Sequence, residues 1–138
     1  MSTKIFVNLA VKDLNKSVAF FTQLGYTFNP QFTDENATCM IISEDIYVML
    51  LVEPFFKTFV KKELADTSKT VEALICLSAE NREQIDEIVG KAMAAGATEV
   101  NPPMDQGWMY SRSFNDIDGH HWEYVFMDME AAAQAQQG

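Results

Sequence analysis

The feature that most constrains this chain of 138 residues is an order of elements that occurs twice. Over residues 4–52, a β-like segment, a capped amphipathic helical segment that ends at Gly25, and three strand-like segments follow one another. The same order returns over residues 71–128, where the helical segment ends at Gly96. Such a duplication indicates one βαβββ unit used twice, since neither copy could close a core or a cavity alone. The predicted fold class is α+β.

A polar and aromatic connection over residues 53–70 separates the two units, and it carries three phenylalanines: Phe55, Phe56 and Phe59. The connection is long enough to form a short helix or to act as a mobile flap over a site. The phenylalanines could close over a ligand, and their spacings of three and four fit a docked helix as well. We expect a single domain over residues 1–128 and a low-complexity tail over residues 129–138, as a frayed helix or a disordered end.

The charge and hydropathy of the chain exclude several kinds of partner. A net charge of −10 disfavours nucleic acid, because phosphate backbones are bound by clustered Lys and Arg. The longest apolar run, from Ile46 to Val52, is far shorter than the ~20 residues that span a bilayer, and no signal-peptide pattern opens the chain. We therefore expect a soluble, cytoplasmic protein without a membrane partner, which binds a small molecule.

Two motifs carry a family resemblance. The pattern VxDLxxSxxFFxxLG begins at Val11, and the pattern DxDGxxWE runs from Asp116 to Glu123. With the repeated βαβββ order, the chain resembles the glyoxalase/bleomycin resistance/extradiol dioxygenase superfamily, also called vicinal oxygen chelate proteins, over residues 4–128. The resemblance implies two modules that form a concave, eight-stranded half-open barrel with the site between them, and it implies a homodimer.

The resemblance also implies four metal-ligand positions, a His or Glu on the first strand and a Glu on the last strand of each module. In this sequence they fall on Phe6, on Leu50 or (one residue earlier) Met49, on Leu74 and on Glu123. Only Glu123 matches a ligand, whereas a divalent transition metal needs at least three protein ligands. The chain resembles a glyoxalase-like branch that lacks most metal ligands, and we expect no metal cofactor.

A displaced metal set is one alternative at the closing strand. Strand alternation puts His121 on the same side as Glu123, and Glu72 could approach both of them. The other alternative is that His121 forms local hydrogen bonds at the mouth of the strand and that Glu72 is a rim residue. In that interpretation His120 and His121 belong to a turn-and-strand signature.

The predicted ligand-binding face has Glu123 at its centre and few other polar groups. Arg112 is the expected partner of Glu123, since an unpaired carboxylate in an apolar cavity is costly. The residues predicted to line the face with Glu123 are Phe6, Asn8, Leu50, Leu74, Trp108, Tyr110, Arg112 and His121, with the alternate residues of the penultimate strand as the other choice for that strand. Such a cavity suits a ligand with an apolar body and one or two hydrogen-bonding groups.

Two hypotheses of function follow from this face. In the first, the protein binds a small aromatic or cationic molecule without a metal, as bleomycin-sequestering relatives do; aromatic rings and carboxylates both attract cations. In the second, it is a glyoxalase-type lyase or isomerase, in which Glu123 is the general base for a proton next to a carbonyl group. The sequence identifies neither the ligand nor a substrate.

Overall fold

The chain forms two compact units, which divide between Asp66 and Thr67. The structure, a computed structural model, describes residues 2–137. Each unit contains one of the predicted repeats, and the division falls in the predicted connection. The α+β class and the duplicated βαβββ order are therefore confirmed.

The first unit is a four-stranded sheet with one long helix. Its strands follow the order β1-β4-β3-β2, in which β1 and β4 are parallel and the other neighbours are antiparallel. The helix begins where the Asp13 side chain accepts a hydrogen bond from the Lys16 amide, and it stops before Gly25, which has a φ of +104°. The elements are β1 (Ile5–Val11), α1 (Leu14–Gln23), β2 (Thr27–Asn29), β3 (Ala37–Ile41) and β4 (Ile46–Val52).

Alternation along β1 and β4 separates a buried face from an open face. Leu9 and Leu50 are paired in register and are both buried in the core of the unit. Phe6, Asn8 and Met49 have the opposite parity and lie on the open face, where Asn8 is the register partner of Met49. The open face is therefore the side of this sheet that is available to a ligand.

The connection after β4 forms a short helix instead of an irregular flap. The helix α2 (Glu53–Phe56) continues into a 3-10 turn (Lys57–Phe59). The Thr58 hydroxyl donates to the Phe55 carbonyl at 2.7 Å, and the rings of Phe55 and Phe59 meet edge to face with their centroids 5.1 Å apart. Of the two predicted alternatives, the structure contains the helix.

The second unit repeats the order with one strand more than predicted. Its sheet follows the order β5-β9-β8-β6, with β7 also paired to β8. The elements are β5 (Leu74–Ser78), α3 (Arg82–Ala94), β6 (Thr98–Glu99), β7 (Met104–Asp105), β8 (Met109–Asn115) and β9 (His121–Met127). Residues 2–137 therefore contain nine strands, where eight were predicted.

The additional strand arises because the edge of this sheet is interrupted. Glu99 pairs with Phe114 and Met104 pairs with Ser111, so that residues 100–103 lie opposite only residues 112–113. Pro102 and Pro103 fall in this excess and have no amide hydrogen to give to a ladder. The strand β7, which follows these prolines, is therefore the additional one, and it shares its neighbour β8 with β6.

The helix α3 covers one face of the second sheet. Its first turn is capped by the Asn81 side chain, and Ile85 and Val89 are completely buried. Trp122 and Tyr124 of β9 are also buried, and the Tyr124 ring stacks on Phe114 with the centroids 6.1 Å apart. His121 and Glu123 of β9 have the opposite parity to Trp122 and Tyr124, and they face away from this core.

A fourth helix, α4 (Met129–Gln137), follows the second unit. A helix was one of the two alternatives predicted for the tail, whose residue 138 lies outside the described residues. Within residues 2–137, none of the helices has the length and apolar character needed to cross a bilayer.

Candidate functional site

The open face of the second sheet brings Glu123 together with polar and sulfur-containing side chains. In the parallel register of β5 and β9, Leu74 lies beside His121 and Cys76 lies beside Glu123. On the other side, Ser113 of β8 is directly opposite Glu123. Partial desolvation raises the pKa of the exposed Cys76 thiol, and the Glu123 carboxylate beside it raises that pKa further. His121 and Glu123 share a face, as predicted.

This face forms a cavity of about 140 Å³. Its polar residues are Asn101, Ser111, Arg112, Ser113, His121 and Glu123, of which the two serines are buried. The residues that line it are Leu74, Asn101, Pro102, Met104, Ser111, Arg112, Ser113, His121 and Glu123. Four of the predicted residues, Leu74, Arg112, His121 and Glu123, therefore line this cavity.

The predicted pairing of Arg112 with Glu123 is wrong. Arg112 is opposite Tyr124 in the β8–β9 register, and its guanidinium bonds Asp86 of α3 at 3.2 Å and Glu99 of β6 at 2.7 Å. It therefore has the parity of the helix-covered face. Within residues 2–137, no lysine or arginine forms an ion pair with Glu123.

The predicted placement of two aromatic residues, Trp108 and Tyr110, on the face of Glu123 is also wrong. The Tyr110 hydroxyl donates to Asp86 at 2.6 Å, so this ring also lies on the side of α3. Trp108 precedes β8 and is absent from the lining of the cavity. The alternate residues of the strand, Ser111 and Ser113, occupy the positions that the prediction gave to these aromatic side chains. Their signal in the sequence is the alternation of small serines with large side chains from Tyr110 to Phe114.

His120 serves the turn before β9 and not the cavity. The Asp116 carboxylate accepts hydrogen bonds from the Trp122 indole at 2.9 Å, the Asp118 amide at 2.9 Å and the His120 amide at 3.0 Å. Burial raises the pKa of Asp116, and the neighbouring His120 and these donated bonds oppose that shift. Glu72 Oε1 lies 2.9 Å from His120 Nδ1. Glu72 thus belongs to this cluster and does not converge with His121 and Glu123.

The open face of the first sheet is aromatic where the second is polar. Phe6 stacks on Tyr47 with the ring centroids 4.9 Å apart, and 53 % of Phe6 remains exposed. Asn8 and Met49 follow along the two strands and line a cavity of about 410 Å³ together with Phe55 and Phe59. The placement of Leu50 on this face is wrong, because Leu50 is 0 % exposed in the core and Met49 has the open position.

Comparison with known proteins assigns the family. Residues 3–43 match the family model for the N-terminal part of bleomycin resistance protein-like proteins. A hypothetical protein of S. aureus, SA1046, is 30 % identical, and the match covers 91 % of this chain and 95 % of that one with a TM-score of 0.76. No functionally curated protein matches the sequence.

Two further solved structures carry family names. A glyoxalase/bleomycin resistance protein/dioxygenase family enzyme from Burkholderia phytofirmans is 16 % identical over 91 % of this chain and 99 % of that one, with a TM-score of 0.75. The fosfomycin resistance protein FosX from Listeria monocytogenes is 21 % identical over 94 % and 97 %, with a TM-score of 0.65. This chain belongs to the glyoxalase/bleomycin resistance/dioxygenase superfamily.

The two repeats of this superfamily member align through their helix caps. Phe6 precedes the cap Asp13 by seven residues, as Leu74 precedes the cap Asn81. The strand registers agree as well. Met49 lies two residues after Tyr47, the register partner of Phe6, and Glu123 lies two residues after His121, the register partner of Leu74. The four metal positions that the resemblance implies therefore fall on the following residues: Phe6, Met49, Leu74 and Glu123.

These four residues do not fit a divalent transition metal. Phe6 and Leu74 have no lone pairs, and the thioether of Met49 is a soft ligand that suits neither Zn²⁺ nor Fe²⁺ in an oxygen-rich site. Within residues 2–137, there is also no group of three or more His, Cys, Asp or Glu residues able to hold a metal ion.

Proposed function

We propose that this protein binds a small molecule through the cavity around Glu123, without a metal, and that the ligand presents a cationic hydrogen-bond donor to the carboxylate. The observation that carries the proposal is a half-buried carboxylate that lines a cavity and has no cationic partner within residues 2–137. A carboxylate in such a place gains most from a ligand that brings the missing positive charge. The net charge of −10 favours the approach of the same ligands.

The size and lining of the cavity define the part of the ligand that it takes. At roughly 30 Å³ per water molecule, a volume of about 140 Å³ accommodates a head group and not a whole drug-sized molecule. Ser111 and Ser113 offer hydroxyl groups, and Leu74 and Met104 offer apolar contacts. The names of the matching family model and of the Listeria protein refer to resistance to two antibiotics, which supports a small-molecule ligand.

Catalysis is a second candidate, because Ser113 lies directly opposite Glu123. Glu123 would take a proton from a carbon next to a carbonyl group, the electron pair would move onto the carbonyl oxygen, and a serine hydroxyl would donate a hydrogen bond to that oxygen. In a substrate with a hydroxyl group on the deprotonated carbon, that hydroxyl would pass its proton to the oxygen and become the new carbonyl group. Return of the first proton from Glu123 to the former carbonyl carbon would then complete the isomerisation. This would be a glyoxalase-type reaction without a metal.

The test uses benzylammonium and its neutral analogue benzyl alcohol. Glu123→Gln keeps the shape of the side chain and removes its charge, so benzylammonium affinity should fall by about ten- to hundredfold, from the ~1.5–3 kcal/mol of a charge-assisted hydrogen bond. Benzyl alcohol should bind wild type and Glu123→Gln alike. Glu83→Gln, an exposed charge in the first turn of α3, is the matched control and should bind both probes like wild type.

Titration calorimetry and turnover of a hemithioacetal, measured on the same three proteins, separate the two candidates. Binding alone predicts no turnover in any of them. Catalysis predicts turnover that is lost in Glu123→Gln while substrate affinity changes little. Equal benzylammonium affinity in all three proteins would contradict the proposed role of Glu123.

A further inference from the structure

The first unit contains a second cavity, of about 410 Å³, which the Glu123 site does not explain. It lies over the open face of β1 and β4, between the loop that joins β2 to β3 and the short helix α2. None of its residues belongs to the second unit. The residues that line it are Asn8, Gln31, Phe32, Thr33, Asp34, Ala37, Met49, Leu51, Phe55 and Phe59.

Three phenylalanines form the aromatic part of this cavity. Phe55 and Phe59 are nearly perpendicular, with an interplanar angle of 83°, so their rings present surfaces in two directions. Phe32 is 61 % exposed and Phe59 is 66 % exposed, although both are large apolar side chains. Exposed aromatic rings around a concavity are typical of a binding surface, since burial in the protein itself would otherwise be favoured.

Asp34 places a fixed negative charge in the same cavity. Its Oδ1 atom accepts hydrogen bonds from the amides of Asn36 at 2.8 Å and of Ala37 at 3.0 Å, which hold the carboxylate in one orientation. Within residues 2–137, no lysine or arginine forms an ion pair with Asp34. The charge therefore remains available to a ligand.

The loop that carries Asp34 is held firmly by its own hydrogen bonds. The Thr33 hydroxyl donates to the Asn29 carbonyl at 2.7 Å and lies 2.8 Å from the Thr38 hydroxyl, which is completely buried. The Asp34 amide donates to the Ala37 carbonyl at 2.9 Å. A ligand would thus meet aromatic rings and a carboxylate already in position, with little ordering to be done on binding.

We propose that this cavity binds a quaternary ammonium group. A quaternary ammonium nitrogen has no N–H group to donate a hydrogen bond, so proteins recognise it by aromatic faces and by a nearby negative charge. This cavity contains both. The Asn8 and Gln31 amides are placed to bond a hydroxyl or carbonyl group elsewhere on the ligand. This cavity shares no residue with the cavity around Glu123, so the two proposals can be tested separately.

The experiment compares choline with 3,3-dimethylbutan-1-ol, in which carbon replaces the charged nitrogen. Wild type should bind choline more tightly than the neutral analogue. Asp34→Asn keeps the oxygen that accepts the two amide bonds and removes the charge, and Phe59→Leu keeps an apolar side chain and removes the ring. Each variant should weaken choline binding by about two- to fivefold or more, as expected for one charge or one cation–π contact, and Asp34→Asn should leave the neutral analogue unchanged.

Two control variants make the outcome specific. Glu44→Gln removes an exposed charge in the turn between β3 and β4 and should bind choline like wild type. Glu123→Gln should also bind choline like wild type; a loss there would move the ammonium to the other cavity and overturn the inference. It is overturned as well if choline does not bind, if choline and its analogue bind equally, or if Asp34→Asn and Phe59→Leu both match wild type. Thermal unfolding of each variant verifies the fold, and the exposed Phe59 carries the test if Asp34→Asn does not fold.

Discussion

Gly119 is the residue whose side chain is most strictly limited by its surroundings. It has a φ of +88°, and a Cβ atom built on it would lie 2.5 Å from the Thr67 carbonyl oxygen and 3.0 Å from the Thr67 carbonyl carbon. The Thr67 hydroxyl donates to the carbonyl of Asp118, which holds the two segments together. Glycine is therefore required here twice, for its backbone angle and for the absence of a side chain.

Gly119→Ala should destabilise the protein more than Gly107→Ala. Both glycines have a positive φ, +88° and +83°, but a Cβ atom at Gly107 would meet nothing within 4 Å. In each variant the backbone angle should lower the free energy of unfolding by about 1–2 kcal/mol. In Gly119→Ala the clash with the Thr67 backbone should lower it by roughly 1–3 kcal/mol more. Chemical denaturation measures the two free energies of unfolding, and equal losses would contradict the clash.

The two histidines illustrate what could be read from single residues. Their place in a turn-and-strand signature was predicted from the "DIDGHHWE" motif, and His120 does lie in the turn cluster with Asp116. The contact of His120 with Glu72 could not be read in the same way, because it joins the turn to a segment that precedes β5 in the chain. Local motifs predict local hydrogen bonds, and contacts between distant segments depend on the assembled sheet.

At the scale of elements, an ion pair fastens the start of α3 to the interrupted edge of the sheet. The Arg82 guanidinium bonds both oxygens of Asp105, at 2.6 and 3.0 Å, and also donates to the Gly107 carbonyl at 3.0 Å. The hydrogen bond from Arg82 is the main reason that the pKa of Asp105 lies below its ordinary value of 3.8. A lowered pKa in the folded state means that the charged carboxylate stabilises the fold above pH 3.8, and that this contribution is lost as the pH falls through the lowered pKa.

Asp105→Asn should therefore destabilise the protein at neutral pH, and the difference from wild type should shrink as the pH falls below 3.8. The effect should be small and should weaken at high salt, since both side chains are well exposed. Urea unfolding across this pH range measures it. In an Arg82→Gln background the same substitution should show a weaker pH dependence, because only the hydrogen bond from the Gly107 amide still lowers the pKa of Asp105. An unchanged profile there would mean that Arg82 is not the main cause.

Strand alternation was enough to place residues within one element, but it could not relate two elements. His121 and Glu123 were correctly put on one face, because they are two apart in β9. The pairing of Arg112 with Glu123 failed because it depends on the register between β8 and β9, in which Ser113 is opposite Glu123. A shift of one residue exchanges the two faces of a strand, and a single sequence does not specify that register. The wrong placement of Leu50 on the open face, where Met49 lies, has the same cause.

For the whole molecule, the residue types at the four metal positions that the resemblance implies predict how the protein responds to metals. Titration with Zn²⁺, Ni²⁺ or Fe²⁺ should give no tight stoichiometric binding, because three of the four positions are Phe6, Met49 and Leu74. Calorimetry, followed by metal analysis after dialysis, measures this. Tight 1:1 uptake that is abolished by His121→Ala or by Glu123→Gln would contradict the prediction and would restore a displaced metal site.

The whole-molecule pattern was the most predictable level of this structure. The duplicated order of elements was readable because the caps and stop glycines recur, with Asp13 and Gly25 in one half and Asn81 and Gly96 in the other. The phenylalanine-lined cavity of the first unit was only partly predicted, since Phe55 and Phe59 were recognised but Asp34 was not. Asp34 stands in an ordinary polar turn, and nothing in the sequence relates that turn to the phenylalanines after β4. The homodimer remains a prediction.

The interrupted edge formed by β6 and β7 has a consequence for how the protein behaves at high concentration. An exposed strand edge is a template on which a strand of another molecule can add, and continued addition leads to aggregates. Here the edge consists of two strands of two residues each, and Pro102 and Pro103 lie between them without amide hydrogens. An incoming strand would find neither a continuous row of donors nor a constant register. Growth of the second sheet by strand addition is therefore disfavoured at this edge, because the prolines that separate β6 from β7 leave no continuous strand to serve as a template.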